Sequence, residues 1–339
     1  MKQSLLTAAI CLLVSVSGPA AAPYTVTGLG FLPGGTYSAA NGLNDAGQVV
    51  GHSSSSGGGR AFLWDMSGGL QDLGTLPGGN FSEAYDINEA GQIVGQSEAT
   101  EGLRAFLWDA ETGMRDLGIL VGGSASVATG IDDTGQVVGT STISDVGHAF
   151  LWSPAEGMQA LNTLTGGSTA SEALSINNSG QVVGYGVTEN GVRALRWQDT
   201  AAPQDLGALS EGDVSYARDI NATGQIVGNS SSESDRRAVL WDADGGLQDL
   251  SALPGSTLSY AYGINASGQI VGNSRTANGQ RAVLWEAGVG LQDLNDLIDA
   301  ASGWTLTNAA AINSSGQIVG TGILENGASQ AVFLSPKQP

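Results

Sequence analysis

Short apolar runs alternate with polar, glycine-rich stretches along the chain, and no run keeps the 3.6-residue period of an amphipathic helix. The clearest stretch reads Ala84-Tyr85-Asp86-Ile87-Asn88, a turn at Glu89-Ala90, Gly91-Gln92-Ile93-Val94-Gly95, a polar loop, Arg104-Ala105-Phe106-Leu107-Trp108, then Met114-Arg115-Asp116-Leu117-Gly118. Each of these four segments is rich in Ile, Val, Leu, Phe or Trp and is bounded by Gly, Asn, Asp or Ser. That punctuation predicts four strands of about five or six residues, a to d, joined by tight turns.

The unit recurs. A Gly-Gln-[Val/Ile] start appears at Gly47, Gly91, Gly135, Gly180, Gly224, Gly268 and Gly316, at spacings of 44, 44, 45, 44, 44 and 48. The c segments, such as Ala61-Phe62-Leu63-Trp64 and Ala149-Phe150-Leu151-Trp152, are apolar throughout, so both faces of each sheet must be covered. Units of this length and strand count, each sheet covered by its own copies, predict an all-β fold: a seven-bladed β-propeller of four-stranded blades. Segment a carries Ala40, Ala84, Ala128, Ala173, Ala217, Ala261 and Ala309 at one equivalent place. A minimal side chain suits inner strands that crowd toward a common axis.

The ends predict how the ring closes. Residues 26–35 match segment d at 70–79 place for place yet precede the first a segment, and the seventh c segment, Ala331-Val332-Phe333-Leu334, has no d segment after it. The N-terminal strand is therefore expected to complete the C-terminal blade, leaving no open sheet edge.

Lys plus Arg number 12 against 32 Asp plus Glu, a net charge of −20 that repels phosphate backbones and anionic lipid. No nucleic-acid partner is expected. Lys2, the apolar run from Leu5 to Val16 and Ala20-Ala21-Ala22 read as a signal peptide over residues 1–22, leaving one propeller domain over 23–339 in a secreted or periplasmic protein. The single cysteine, Cys11, lies in that leader, so the exported chain is expected to have neither a disulfide nor a thiol nucleophile. No later run approaches the ~18 apolar residues of a membrane helix. The expectation is a monomer without membrane insertion once the leader is removed.

The repeated [Ile/Leu]-[Asn/Asp]-x-x-Gly-Gln-[Ile/Val]-Val-Gly, Arg-Ala-[Phe/Val]-Leu-Trp and Leu-Gln-Asp-Leu-Gly segments resemble the bacterial HAF-type extracellular repeat family, whose His-Ala-Phe form stands at His148-Ala149-Phe150. The resemblance covers residues 24 to 335 and implies an exported bacterial repeat protein.

Features present in nearly every unit are best read as packing. Arg60, Arg104, Arg193, Arg237 and Arg281 before strand c, and Asp72, Asp116, Asp205, Asp249 and Asp293 in segment d, predict inter-strand pairing or turn hydrogen bonds. The Asn-x-x-Gly-Gln turns predict local backbone bonding by Asn and a positive φ at Gly. His52 and His148 fit no metal or catalytic motif, and no cofactor or metal is expected. Variation concentrates on either side of the segment-a alanine, where chains line the mouth of a propeller channel. There Glu83, Tyr85 and Asp86 in one unit, Tyr216, Arg218 and Asp219 in another, and Tyr260 and Tyr262 in the next bring aromatic faces and charged groups to converging positions. They predict a platform for a glycan or protein ligand, and hence a non-enzymatic binding or interaction scaffold. The alternatives are a polysaccharide hydrolase or lyase with Glu83, Asp86, Glu172 or Asp219 as acid and base, and a purely structural surface protein. The crossing from Asn295 to Asn308 is four residues longer than its peers and holds Trp304, the only tryptophan outside segment c. Trp304 is expected to cap a blade junction beside Leu297 and Ile298, or else to project as a contact.

Overall fold

The computed structural model describes residues 22–164, 170–189, 191–210, 213–231 and 235–337. Residues 1–21, nearly all of the expected leader, lie outside them. The described residues form seven antiparallel four-stranded blades, two of them joined by a single parallel bridge between Arg236 and Leu258. In the first, strand a is Ser38–Leu43, b Val49–Ser55, c Gly58–Asp65 and d Gly69–Asp72. The next five blades span residues 82–116, 125–160, 171–205, 214–249 and 258–293 in the same a-b-c-d order. Most c strands reach eight residues, whereas the d strands of these six blades have only two to four. A d strand pairs on one side only, and the chain leaves it early to begin the next blade.

The seventh blade takes strands Trp304–Ile312, Ile318–Leu324 and Ser329–Pro336 from the C-terminal end and Tyr24–Gly28 from the N-terminal end. Val26 pairs with Leu334, Thr27 with Phe333 and Gly28 with Val332 in an antiparallel register, as the orphan d segment predicts. The long crossing supplies the latch. It forms two short 3₁₀ turns capped by Asp293 and Asp299, buries Leu294 and Ile298, and accepts the Tyr24 N–H at the Leu297 carbonyl, 3.0 Å away. Trp304 packs with this cluster and lies over the glycines of the seventh blade, where a Cβ on Gly28 would stand 2.6 Å from its Cζ2 and one on Gly322 would stand 2.9 Å from its Cε3.

Apolar clusters fill the space between successive blades, with Trp64, Trp108, Trp197, Trp241 and Trp285 buried in them. Serines pin blade to blade. Ser82 Oγ accepts the Ala61 N–H of the preceding blade at 2.9 Å and donates to the Gly74 carbonyl at 2.6 Å. Ser38 makes the same pair of bonds to Ala331 and Gly30, so the closing junction uses the hardware of the others. Of the predicted Arg–Asp pairs, Arg281 meets Asp293 at 2.9 Å, while Arg104–Asp116 and Arg193–Asp205 are looser at 3.9 and 4.0 Å. Arg237 instead meets Asp235, and Arg60 donates to the Asn80 carbonyl of the next blade.

Two features of strands a and b shape the axis. The glycine that ends Gly-Gln-[Val/Ile]-Val-Gly faces the segment-a alanine, as in Ala40 opposite Gly51, and a Cβ there would stand 2.0 Å from the Ala39 carbonyl oxygen. The same clash recurs at Gly95, Gly139, Gly184, Gly228, Gly272 and Gly320, so no other residue lets the two strands approach this closely. Immediately after the alanine, the register slips by one residue in all seven blades. The extra residue is a β-bulge, a device that re-aims a side chain.

Candidate functional site at the channel mouth

The seven bulge residues are Asn41, Tyr85, Thr129, Leu174, Arg218, Tyr262 and Ala310, and all seven line one central cavity of about 190 Å³. Asp86 and Asp219, each one residue further along, also line it. Variation that looked unconstrained along the chain thus converges on a single channel.

Around one side, Glu83 is the hub. Its Oε2 accepts the Tyr85 hydroxyl at 2.9 Å and Gln96 Nε2 at 3.2 Å, and its Oε1 accepts Asn41 Nδ2 at 3.3 Å. His52 Nδ1 lies 3.0 Å from Oε1, close but not aligned as a hydrogen bond. Burial alone would push the Glu83 carboxyl up, but His52, Tyr85 and Gln96 outweigh it and hold the group below the usual carboxylate range. Burial and the Glu83 charge raise the Tyr85 phenol far above its ordinary value. Glu83 is therefore a fully engaged carboxylate, ill-suited to donate a proton.

Across the channel the site is aromatic. Tyr185 and Tyr216 meet edge to face at 4.9 Å, and burial together with Glu172 raises the Tyr185 phenol. Tyr260 and Tyr262 stack with centroids 6.0 Å apart and planes within 8°. Arg218 lies 5.4 Å over the Tyr262 ring and donates from Nε to Asn229 Oδ1 at 3.2 Å. Asn273 Nδ2 donates to the Tyr262 hydroxyl at 3.2 Å and to Asn308 Oδ1 at 2.9 Å.

Asp86 and Asp219 have structural partners. Asp86 accepts the N–H groups of Ile87 at 2.9 Å and of Ile131, in the next blade, at 3.0 Å. Asp219 accepts those of Ile220 and Ile264, both at 2.9 Å, and the Ser175 hydroxyl at 2.8 Å. Burial, helped by the charges of Asp219 and Asp133, pushes the Asp86 carboxyl up to about 7 against those two bonds. Asp219 is raised as well, chiefly by burial.

The structure thus joins Glu83 to Tyr85 and joins Arg218, Tyr260 and Tyr262, while Tyr216 meets Tyr185, and Asp86 and Asp219 bind backbone. Sequence reasoning passed over Gln96, Tyr185, Asn229 and Asn273, the b-strand residues opposite the a-strand positions 83, 172, 216 and 260. Their signal was available, since each follows the close-approach glycine and varies from unit to unit. Among the described residues, no three His, Cys, Asp or Glu side chains gather as a metal site, and no helix is long and apolar enough to cross a membrane.

No family model matches the chain, and no curated protein matches it by sequence. A streptogramin B lyase structure is similar at 10% identity over 93% of this chain and 98% of its own, with a TM-score of 0.60. Virginiamycin B lyase from Staphylococcus aureus is similar at 11% identity over 93% and 99%, with a TM-score of 0.56. A puromycin hydrolase mutant is similar at 15% identity over 87% of this chain and 51% of its own, with a TM-score of 0.53. At these identities the likeness is one of fold, the β-propeller.

Proposed function

We propose that the protein is an exported binding scaffold, with residues 1–22 as leader and 23–339 as one propeller domain of HAF-type repeats, acting outside the cytoplasm as a monomer. Its ligand is a glycan or protein held at the channel mouth, and a glycan fits better. The observation that carries this reading is the convergence of all seven bulge residues on one polar cavity, walled by Tyr85 and by Tyr262, behind which Tyr260 stacks. Half-buried rings offer contact area at low entropic cost, and Asn41 and Arg218 line the same cavity with an amide and a guanidinium suited to sugar hydroxyls.

A second reading, a polysaccharide hydrolase or lyase, draws on Asp86, whose carboxyl near 7 suits a proton donor. Both Asp86 oxygens already accept backbone N–H groups, which favours binding without turnover. Glycan-array binding and polysaccharide turnover by the purified protein separate the two. The binding reading expects retained glycan, loss of at least tenfold in affinity for Tyr85→Ala or Tyr262→Ala, about the 1.4 kcal/mol of one such contact, and no cleavage. Cleavage abolished by Asp86→Asn would replace it with the enzyme reading.

A further inference from the structure

Arg218 is the single cation among the described residues that line the channel. Its Nε is spent on Asn229, and its plane is set by the Tyr262 ring beneath it. That ring is itself fixed, because Tyr262 stacks on Tyr260, and Arg236 NH1 donates to the Tyr260 hydroxyl at 2.8 Å while the guanidinium lies 5.4 Å from the Tyr260 centroid. The result is a continuous run of contacts, Arg218 to Tyr262 to Tyr260 to Arg236, with Arg218 and Tyr262 at the channel. Among the described residues, the terminal nitrogens of Arg218 have no hydrogen-bond partner. A guanidinium held in one plane, with its terminal fork unspent, matches a planar two-oxygen anion.

We propose that the channel site selects a carboxylate-bearing glycan, with the carboxylate of a uronic-acid residue held by the two terminal nitrogens of Arg218. This rests on the glycan-binding reading above. A singly charged, planar group is favoured over phosphate because one guanidinium, the single cation of the cavity lining among the described residues, balances one charge and offers a planar pair of donors. A sugar acid is favoured over an acidic peptide by the shape of the site. The cavity of about 190 Å³ amounts to roughly six waters' share of liquid, the scale of one sugar ring, and residues of all seven blades line it around one axis.

The test is calorimetry with glucuronate-, galacturonate- and mannuronate-containing oligosaccharides, each beside its methyl ester, and with a peptide ending in Glu. The wild-type protein is expected to bind at least one acid about tenfold to a hundredfold more tightly than its ester, the range of charge-assisted hydrogen bonds. Arg218→Gln is expected to lower acid binding by more than ester binding, so that the preference for acid over ester is lost, and Arg218→Lys to restore part of that preference. An unchanged thermal midpoint in both variants separates this from misfolding. Equal binding of acid and ester, an Arg218→Gln loss that falls equally on both, or preference for the peptide would overturn the inference while leaving a ligand site in place. Failure to bind any glycan, neutral ones included, would overturn the glycan-binding reading and this inference with it.

Discussion

Asn313 donates from Nδ2 to the backbone carbonyl of Asn44, 3.1 Å away and 269 residues earlier in the chain. The bond is one link of a belt around the axis. Asn44 reaches Asn88, Asn88 reaches Asp132, Asn177 reaches Asn221, Asn221 reaches Asn265, and Asn265 reaches Asn313 through the same amide-to-carbonyl contact, at 3.0 to 3.2 Å. Each of these asparagines also donates to the glutamine four residues on and accepts that residue's N–H through Oδ1. One side chain therefore holds its own turn and the next blade.

The belt lacks a donor at one place. Asp132 keeps the local half, accepting the N–H groups of Thr134 and Gln136, but a carboxylate has no proton to offer the carbonyl of Asn177. Asp132→Asn is expected to complete the belt and to stabilise the protein by about 1 kcal/mol, the net worth of one hydrogen bond. Urea denaturation checks this, and a lower midpoint in the variant would refute it.

Trp304 covers the strand that closes the ring, so its loss should be felt there first. Trp304→Ala is expected to cost about 2 kcal/mol, less than a fully buried tryptophan because the ring is only half-buried. Hydrogen exchange should quicken at residues 24–28 well before it does in the blade at 82–116. Uniform acceleration across both regions would show that Trp304 has no special part in closure.

The Asp86 carboxyl gives stability a definite pH dependence. Its folded value of about 7 lies above the ordinary 3.8, so folding favours the protonated form. Its contribution is fully present below the unfolded value and is lost as pH rises through about 7. The stability of wild type relative to Asp86→Asn should therefore fall between pH 4 and pH 7, by at most about 1.4 kcal/mol per pH unit, and then level off. A difference that stays flat across this range would contradict the burial of Asp86 as an acid.

Much of the architecture is legible in the sequence because it is repeated. Seven alanines, seven Gly-Gln starts and an orphan d segment carry blade count and closure without any knowledge of contacts. The site is harder to read. That Tyr85, Arg218 and Tyr262 vary is visible, but their convergence depends on a one-residue bulge, and bulges follow from strand register rather than composition. Asp86 and Asp219 look like catalytic acids along the chain, and only the neighbouring blade supplies the Ile131 and Ile264 N–H groups that occupy them. The turn asparagines read correctly as local caps, but the half of their bonding that crosses to the next blade needs the ring to exist first.

The central claim is that the chain closes on itself and thereby gathers seven variable positions onto one axis. Pulsed electron paramagnetic resonance on the Thr25→Cys/Ser335→Cys double variant, spin-labelled at both sites in a protein lacking residues 1–22, Cys11 among them, tests it most directly. Thr25 and Ser335 are register partners, so their Cα atoms should lie about 4.5–5.5 Å apart. The account predicts one narrow distance at the short limit of the method, and a broad distribution at several tens of ångström would contradict it.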